Sequence, residues 1–327
     1  MPHHAPDAPL EDLRMPKHSI LVTDDIENQT DSGKKRSQAI RGAASFLAQH
    51  LNVGVELLYV EDIKSYPPGR YDSPRIRAWH AQHLKRLEEL SRRFQVPVTY
   101  SLKDGPPAEL ILKAVRSTPS PEIVVVGTQG RKGLKRMLIG SVAEEVIRYA
   151  KRPVMVIGPK AQEKGWNFNA KRQLKILVAT DLSKNSRAAE HYALSLAKRM
   201  GAGIVLFHCL GESYRRIVTD SSMVSGWVPL NLDEILAGIQ EDAIEAIEQK
   251  VRFFEKHNVP CYYKIDDKRI PASCAIYREC EKDNSFVVMG THGRNALLNA
   301  FFGSTARETI LNSSIPVITV HSVKYKV

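Results

Sequence analysis

The sequence predicts two tandem α/β domains, each built on a parallel sheet, and three observations carry that prediction. Short runs rich in Val and Ile alternate with longer amphipathic segments, the order expected of βαβ units. The runs are apolar at nearly every position rather than at alternate ones, as in strands buried on both faces. The pattern also occurs twice. Sliding the chain against itself by 163 positions lays "GTQGRKGLKRMLIGS" (127–141) on "GTHGRNALLNAFFGS" (290–304), with seven of fifteen residues identical. A repeat this long marks two similar domains rather than a solenoid of short units.

The elements follow in order. Each copy opens on a buried strand that ends at an aspartate, "SILVTDD" to Asp25 and "KILVATD" to Asp181. In copy two, "SRAAEHYALSLAKRMGA" has helical apolar spacing, with Gly201 as its stop. "GIVLFHC" is the second strand. A helix then runs from about Leu232 to His257, where Asn231 and Glu234 have capping-box spacing. "PCYYKI" is the third strand, "PASCAIYREC" a short helix and "SFVVMG" the fourth strand. After the glycine loop come a helix around 304–312 and a last strand, "PVITVH". Copy one repeats the order, with "VELLYV", "VPVTYSL", "EIVVVG" and "PVMVIG" as its later strands.

With 327 residues, the chain has room for two domains of about 150 each. Residues 1–16 read as a disordered leader lacking the apolar core of a signal peptide. Domain 1 is expected at 17–158, an aperiodic linker at 159–173 and domain 2 at 174–327. No apolar run approaches the ~20 residues of a membrane span, so no membrane partner is expected. The four cysteines, Cys209, Cys261, Cys274 and Cys280, include no CxxC pair. That excludes a disulfide framework and suits a cytoplasmic protein, and idle thiols are favoured over metal ligands at Cys274 and Cys280. The net charge of +11 is spread over both halves, +7 in residues 1–160 and +4 beyond. Without interleaved aromatics it does not point to nucleic acid.

Ligands of open parallel sheets bind beyond the carboxyl ends of the strands, where strand order reverses. Asp25, Asp181 and both glycine loops fall at such ends. Gly127 and Gly130, with Gly290 and Gly293 in copy two, remove side chains where the backbone leaves the fourth strand, so a ligand can approach main-chain N–H groups. Gly140 and Ser141, or Gly303 and Ser304, stand at a helix start whose free amides favour phosphate. Arg131 and the neighbouring Lys132, Lys135 and Arg136 can lean over that charge, whereas copy two keeps only Arg294 of the four. The alternative is a tight turn with a capped helix, which the intact G-x2-G-x9-G-S spacing in both copies disfavours. Neither loop is a Walker A loop, since no Lys adjoins the final hydroxyl residue.

These loops and their flanks, "VVVGTQGRKGLKRMLIGSVAEEVIRYAKRPVMVI" above all, resemble the universal stress protein family. The resemblance runs from Lys17 to Val320 and identifies the chain as similar to tandem members. It implies Rossmann-like domains, each an open five-stranded parallel sheet of order 3-2-1-4-5 with helices on both faces. It further implies ATP or a related adenine nucleotide as ligand, because ATP-binding members carry G-x2-G-x9-G-[ST]; Mg²⁺ would be the normal companion of ATP. By the same resemblance Asp25 and Asp181 would recognise adenine, and Val60 and Cys209 would offer main-chain contacts to the base. Gly127, Gly130, Gly290 and Gly293 would bracket ribose and α-phosphate. Gly140, Ser141 and Val142, with Gly303, Ser304 and Thr305, would hold the phosphates. The last strands of the copies would pair into an intramolecular pseudo-dimer, with further homodimerisation left open. One departure is a longer connection from Asp25 to Val60 than from Asp181 to Cys209, where the extra segment near "ENQTDSGKKRS" lies beside the base pocket and can obstruct or reshape it.

No dedicated catalyst is expected. GxSxG, HExxH and a Walker B context are absent from the sequence. His292 could serve as a base, but a non-catalytic loop role is favoured. His80 and His83 have metal-like spacing, but a packing or solvated role is favoured there too. Slow ATP hydrolysis would be incidental. The leading expectation is a nucleotide-binding stress regulator that signals to an unidentified protein partner through conformation or partner choice. The alternative is a scaffold or small-molecule carrier with degenerate sites.

Overall fold

The computed structural model describes residues 18–28, 30–62, 74–128, 138–164, 173–211, 213–214, 232–292 and 302–321. The first copy runs β1 (Ser19–Thr23), α1 (Asp31–Leu51), β2 (Gly54–Glu61), α2 (Pro74–Ser91), β3 (Val98–Asp104), α3 (Pro107–Val115), β4 (Ile123–Gly127), α4 (Ser141–Tyr149) and β5 (Val154–Ile157). A short helix, α5 (Pro159–Glu163), follows. The second copy runs β6 (Lys175–Ala179), α6 (Arg187–Met200), β7 (Gly203–Cys209), α7 (Leu232–Lys256), β8 (Cys261–Asp266), α8 (Ala272–Cys280), β9 (Phe286–Gly290), α9 (Ser304–Asn312) and β10 (Val317–Val320).

All ten strands belong to one sheet of order β3-β2-β1-β4-β5-β10-β9-β6-β7-β8. Every neighbouring pair is parallel except β5 and β10, which run antiparallel. Each half therefore reads 3-2-1-4-5 from its outer edge inward. The central strands consist of Val, Ile, Leu and Met because helices cover them on both sides. Ile20, Leu21, Val124, Val125, Met155, Val287 and Ile318 are all fully buried. Two apolar cores result, one on each face of the sheet, and both include residues from both copies. Helix ends follow the local sequence: Thr30 caps α1 by accepting from the Gly33 amide, and Gly201 ends α6 at a φ of 63°.

At the junction, Met155 lies opposite Ile318, the residue 163 positions on. A local two-fold axis thus passes between equivalent positions. Other equivalent positions also meet or answer each other there. Arg307 of α9 contacts Glu144 of α4 at 2.9 Å. Gly158 lies so close to α9 that a Cβ would overlap the Ile310 carbonyl oxygen. On the other side of the axis, His321 reaches the Ile147 carbonyl through its ring nitrogen Nε2.

Residues 159–164, at the start of the expected linker, include the short helix α5. Pro159, Ala161 and Gln162 are buried, and Gln162 Nε2 donates to the Ile157 carbonyl at 2.8 Å. Among the described residues no helix is long and apolar enough to cross a membrane.

Candidate functional site

β1 lies between β2 and β4, and β6 between β7 and β9. The chain leaves β1 and β6 toward one edge and returns on the other side, which opens a crevice at their carboxyl ends. Asp25 and Gly127 border the crevice in copy one, and Asp181 and Gly290 border it in copy two. Val60 and Cys209 stand near the ends of the adjoining strands β2 and β7.

The two phosphate-side anchors are built alike. The amide of Gly140 donates to the Thr128 carbonyl at 2.7 Å, and that of Gly303 to the Thr291 carbonyl at 3.0 Å. Each glycine is an N-cap in extended conformation with no side-chain cap bond. The first-turn amides of α4, at Ser141 and Val142, and of α9, at Ser304 and Thr305, thus lack intrahelical acceptors. Thr128 and Thr291, the second residue of each GT pair, tie the strand end to the helix start and are almost completely buried. The repetition of GT in both copies was the available signal for this tie. Among the described residues, Thr128 Oγ1 and His292 Nε2 are buried atoms without a hydrogen-bond partner. Gly130, Arg131, Gly293 and Arg294, together with Lys132, Lys135 and Arg136, lie outside the described residues.

The base sides differ. In copy one, Arg36 Nη2 donates to Asp25 Oδ2 at 3.1 Å, with the Arg36 side chain only 5 % exposed. A Cβ on Gly127 would stand 2.7 Å from Ile40 Cδ1 and 3.6 Å from Arg36 Cδ. Arg36 and Ile40, one turn apart on α1, therefore occupy the space between the ends of β1 and β4. Arg36 belongs to the extra segment noted in the sequence, although nothing there singled out this residue. In copy two, the corresponding segment is a tight turn. Asp181 Oδ1 accepts from the amide and hydroxyl of Ser183 at 3.0 and 2.7 Å and from the Ser186 hydroxyl, while Leu182 adopts a φ of 62°. The three atoms nearest a Cβ on Gly290 are backbone atoms of His292 and Asn185, at 3.2 to 3.9 Å. No α6 side chain is among them.

Burial pushes the Cys209 thiol up to about 12, with Asp266 adding to the effect. It is therefore a neutral thiol at physiological pH. Burial likewise raises Cys261 and Cys280 to about 12. His80 faces Asp104 at 3.1 Å, and the His83 ring packs on Trp79 with centroids 3.7 Å apart. No group of three or more His, Cys, Asp or Glu among the described residues could hold a metal ion.

The model of the universal stress protein family matches residues 18–158 and again 174–321. Universal stress protein Rv2005c of Mycobacterium tuberculosis is 25% identical over 317 residues, spanning 92% of this chain and 96% of its own. Universal stress protein MJ0531 of Methanocaldococcus jannaschii is 27% identical over 140 residues, spanning 41% of this chain and 81% of its own. Among solved structures, a universal stress protein from Archaeoglobus fulgidus superposes over 94% of this chain and 99% of its own, with a TM-score of 0.59 at 18% identity, which speaks to the fold alone. With nearly the whole described chain taken up by two matches in tandem, the protein belongs to the universal stress protein family.

Proposed function

We propose that the protein is a stress-response regulator that binds ATP or a related adenine nucleotide in its second copy. Nucleotide-dependent conformation or choice of protein partner would carry the signal, without dedicated catalysis. The observation that carries this reading is the contrast between the two crevices. Arg36 and Ile40 crowd the one beside Gly127, whereas the three described atoms nearest a Cβ on Gly290 are backbone. The Asp181 turn sets a carboxylate at the end of β6. Gly290 lets a ligand approach the main chain, and the first-turn amides of α9 suit phosphate. Mg²⁺ would arrive with the nucleotide, coordinated mainly by its phosphates. A nucleotide shifts conformation only to the extent that it binds two states unequally. The first copy, with Asp25 engaged by Arg36, would serve as packing partner. That gives the scaffold reading a foothold in half of the molecule.

The test is a count of nucleotide per chain. Protein purified without added ATP is denatured, and released ligand is identified by chromatography and mass spectrometry; ATP with Mg²⁺ is then titrated into the ligand-free protein. One nucleotide per chain is expected, lost in Gly293→Val and retained in Gly130→Val, with both variants checked for folding. Loss in Gly130→Val alone would reverse the assignment of copies. No binding at millimolar ATP would sink the nucleotide reading and leave a scaffold.

A further inference from the structure

A cavity lies between α1 and α2 of the first copy, with Ile26 and Asn28, just past Asp25, at one end. It measures about 460 Å³, within the range of small-molecule sites. Lys34, Gln38, Arg41 and Ser45 line it from α1, at the spacing of one helix face. Arg86 and Arg93 line it from the α2 side, with Leu90 and Phe94 as apolar floor. Among the described residues no acidic side chain lines it. Arg41 is held by the buried Asp24 and Arg86 touches the exposed Glu89 at 3.4 Å, which leaves Lys34 and Arg93 in excess.

The internal repeat shows why the cavity exists. Counted back from the left-handed caps Asn52 and Gly201, Arg41 and Gly42 correspond to Glu190 and His191. Counted back from Pro97 and Pro260, Leu87, Leu90 and Phe94 correspond to Lys250, Phe253 and His257. In copy two the space is closed: Lys250 pairs with Glu190 at 2.7 Å, and the Phe253 ring contacts those of His191 and His257 at 5.0 and 4.8 Å. In copy one Gly42 supplies no ring, and a Cβ there would meet nothing within 4 Å. Arg41 turns to Asp24 instead of bridging to α2. The same helix pair is thus zipped shut in one copy and left open, lined with cations, in the other.

We infer that the α1–α2 cavity of the first copy is a binding site for a small organic anion: a carboxylate, sulfonate or phosphate head on a compact apolar body. The head meets Lys34 and Arg93 at the rim, beside the Glu89-paired Arg86, and the body covers Leu90 and Phe94. Neither feature depends on nucleotide binding in the other copy.

The probe is 8-anilinonaphthalene-1-sulfonate, titrated by fluorescence into the full chain, with uncharged N-phenyl-1-naphthylamine as control. The anionic dye should bind about tenfold more tightly than the neutral one, the scale of a charge-assisted contact, and the difference should shrink with salt. Gly42→Trp fills the cavity at an exposed helix position where Trp has a higher helix propensity than Gly. It should cut anionic dye affinity about tenfold with the melting temperature unchanged or raised, a fold-change similarly set by loss of the apolar contact. Arg86→Glu with Arg93→Glu should weaken the anionic dye and spare the neutral one. Equal dye affinity in the wild type and Gly42→Trp, or no preference for the anion, would overturn the site.

Discussion

His321 is held between the copies by the Ile147 carbonyl at one ring nitrogen and by Thr291 Oγ1, 3.4 Å away, at the other. Burial lowers its pKa below the ordinary histidine value, the nearby His292 adds to this, and the Ile147 carbonyl opposes it. The folded state therefore takes up its proton less readily than the unfolded chain does. The stability this contributes is present above the unfolded pKa of about 6.5 and is lost as pH falls through the folded value. Melting temperatures of wild type and His321→Asn, measured from pH 7.5 to 5, should diverge most at neutral pH and converge on acidification. Parallel curves would remove His321 from the pH response. At the same scale, Arg36 marks the limit of the sequence reading. The extra segment that contains it was visible as a difference in spacing between the copies. Which of its residues turns inward depends on the rotation of α1, set by packing against β1 and β4 rather than by local pattern.

At the scale of elements, strands and most helices were legible because strands buried on both faces and amphipathic helices leave different periodicities. The short helix α5 was not, since five residues are too few to show a period and its burial arises from packing against α1 and α9. The junction strand β5 carries a tighter constraint. Gly158, just beyond it, has ordinary dihedrals of −74° and 168°, so any residue could adopt its conformation. What demands glycine is the Ile310 carbonyl, which occupies the place of a side chain. Gly158→Ala should cost about 3 kcal/mol by forcing α9 away from β5, read as a lower urea midpoint. An unchanged midpoint would mean that α9 yields freely. The two glycine loops show the opposite limit: their repeated spacing was legible, while the fit of a ligand depends on neighbours in α1 and α6 that the motif does not include.

For the whole molecule, the decisive fact is one sheet with two cores that both cross the junction. Val154, Met155, Val156 and Ile157 are fully buried, and Val317, Ile318 and Val320 nearly so or fully. Cutting the chain within 165–172 would leave each half with an apolar edge strand open to pairing. Isolated residues 1–164 and 173–327 should each self-associate in analytical ultracentrifugation and recombine into a 1:1 complex when mixed. Two stable monomers that ignore each other would contradict the role of the β5–β10 pairing. Legibility was uneven here too. The similarity of the halves predicted shared architecture, but not which side chains would face each other across the axis.

Glu144 and Arg307 occupy equivalent positions in the two copies and touch. In an assembly of two identical half-chains, any substitution at such a position appears twice and faces itself, so opposite charges can never meet there. Covalent fusion lifts that restriction by letting each copy vary alone. Once the pair had formed, either half joined to its own twin would have set glutamate against glutamate or arginine against arginine. The fused chain is in this way asymmetric: at this contact its two parts fit each other better than either would fit a duplicate of itself.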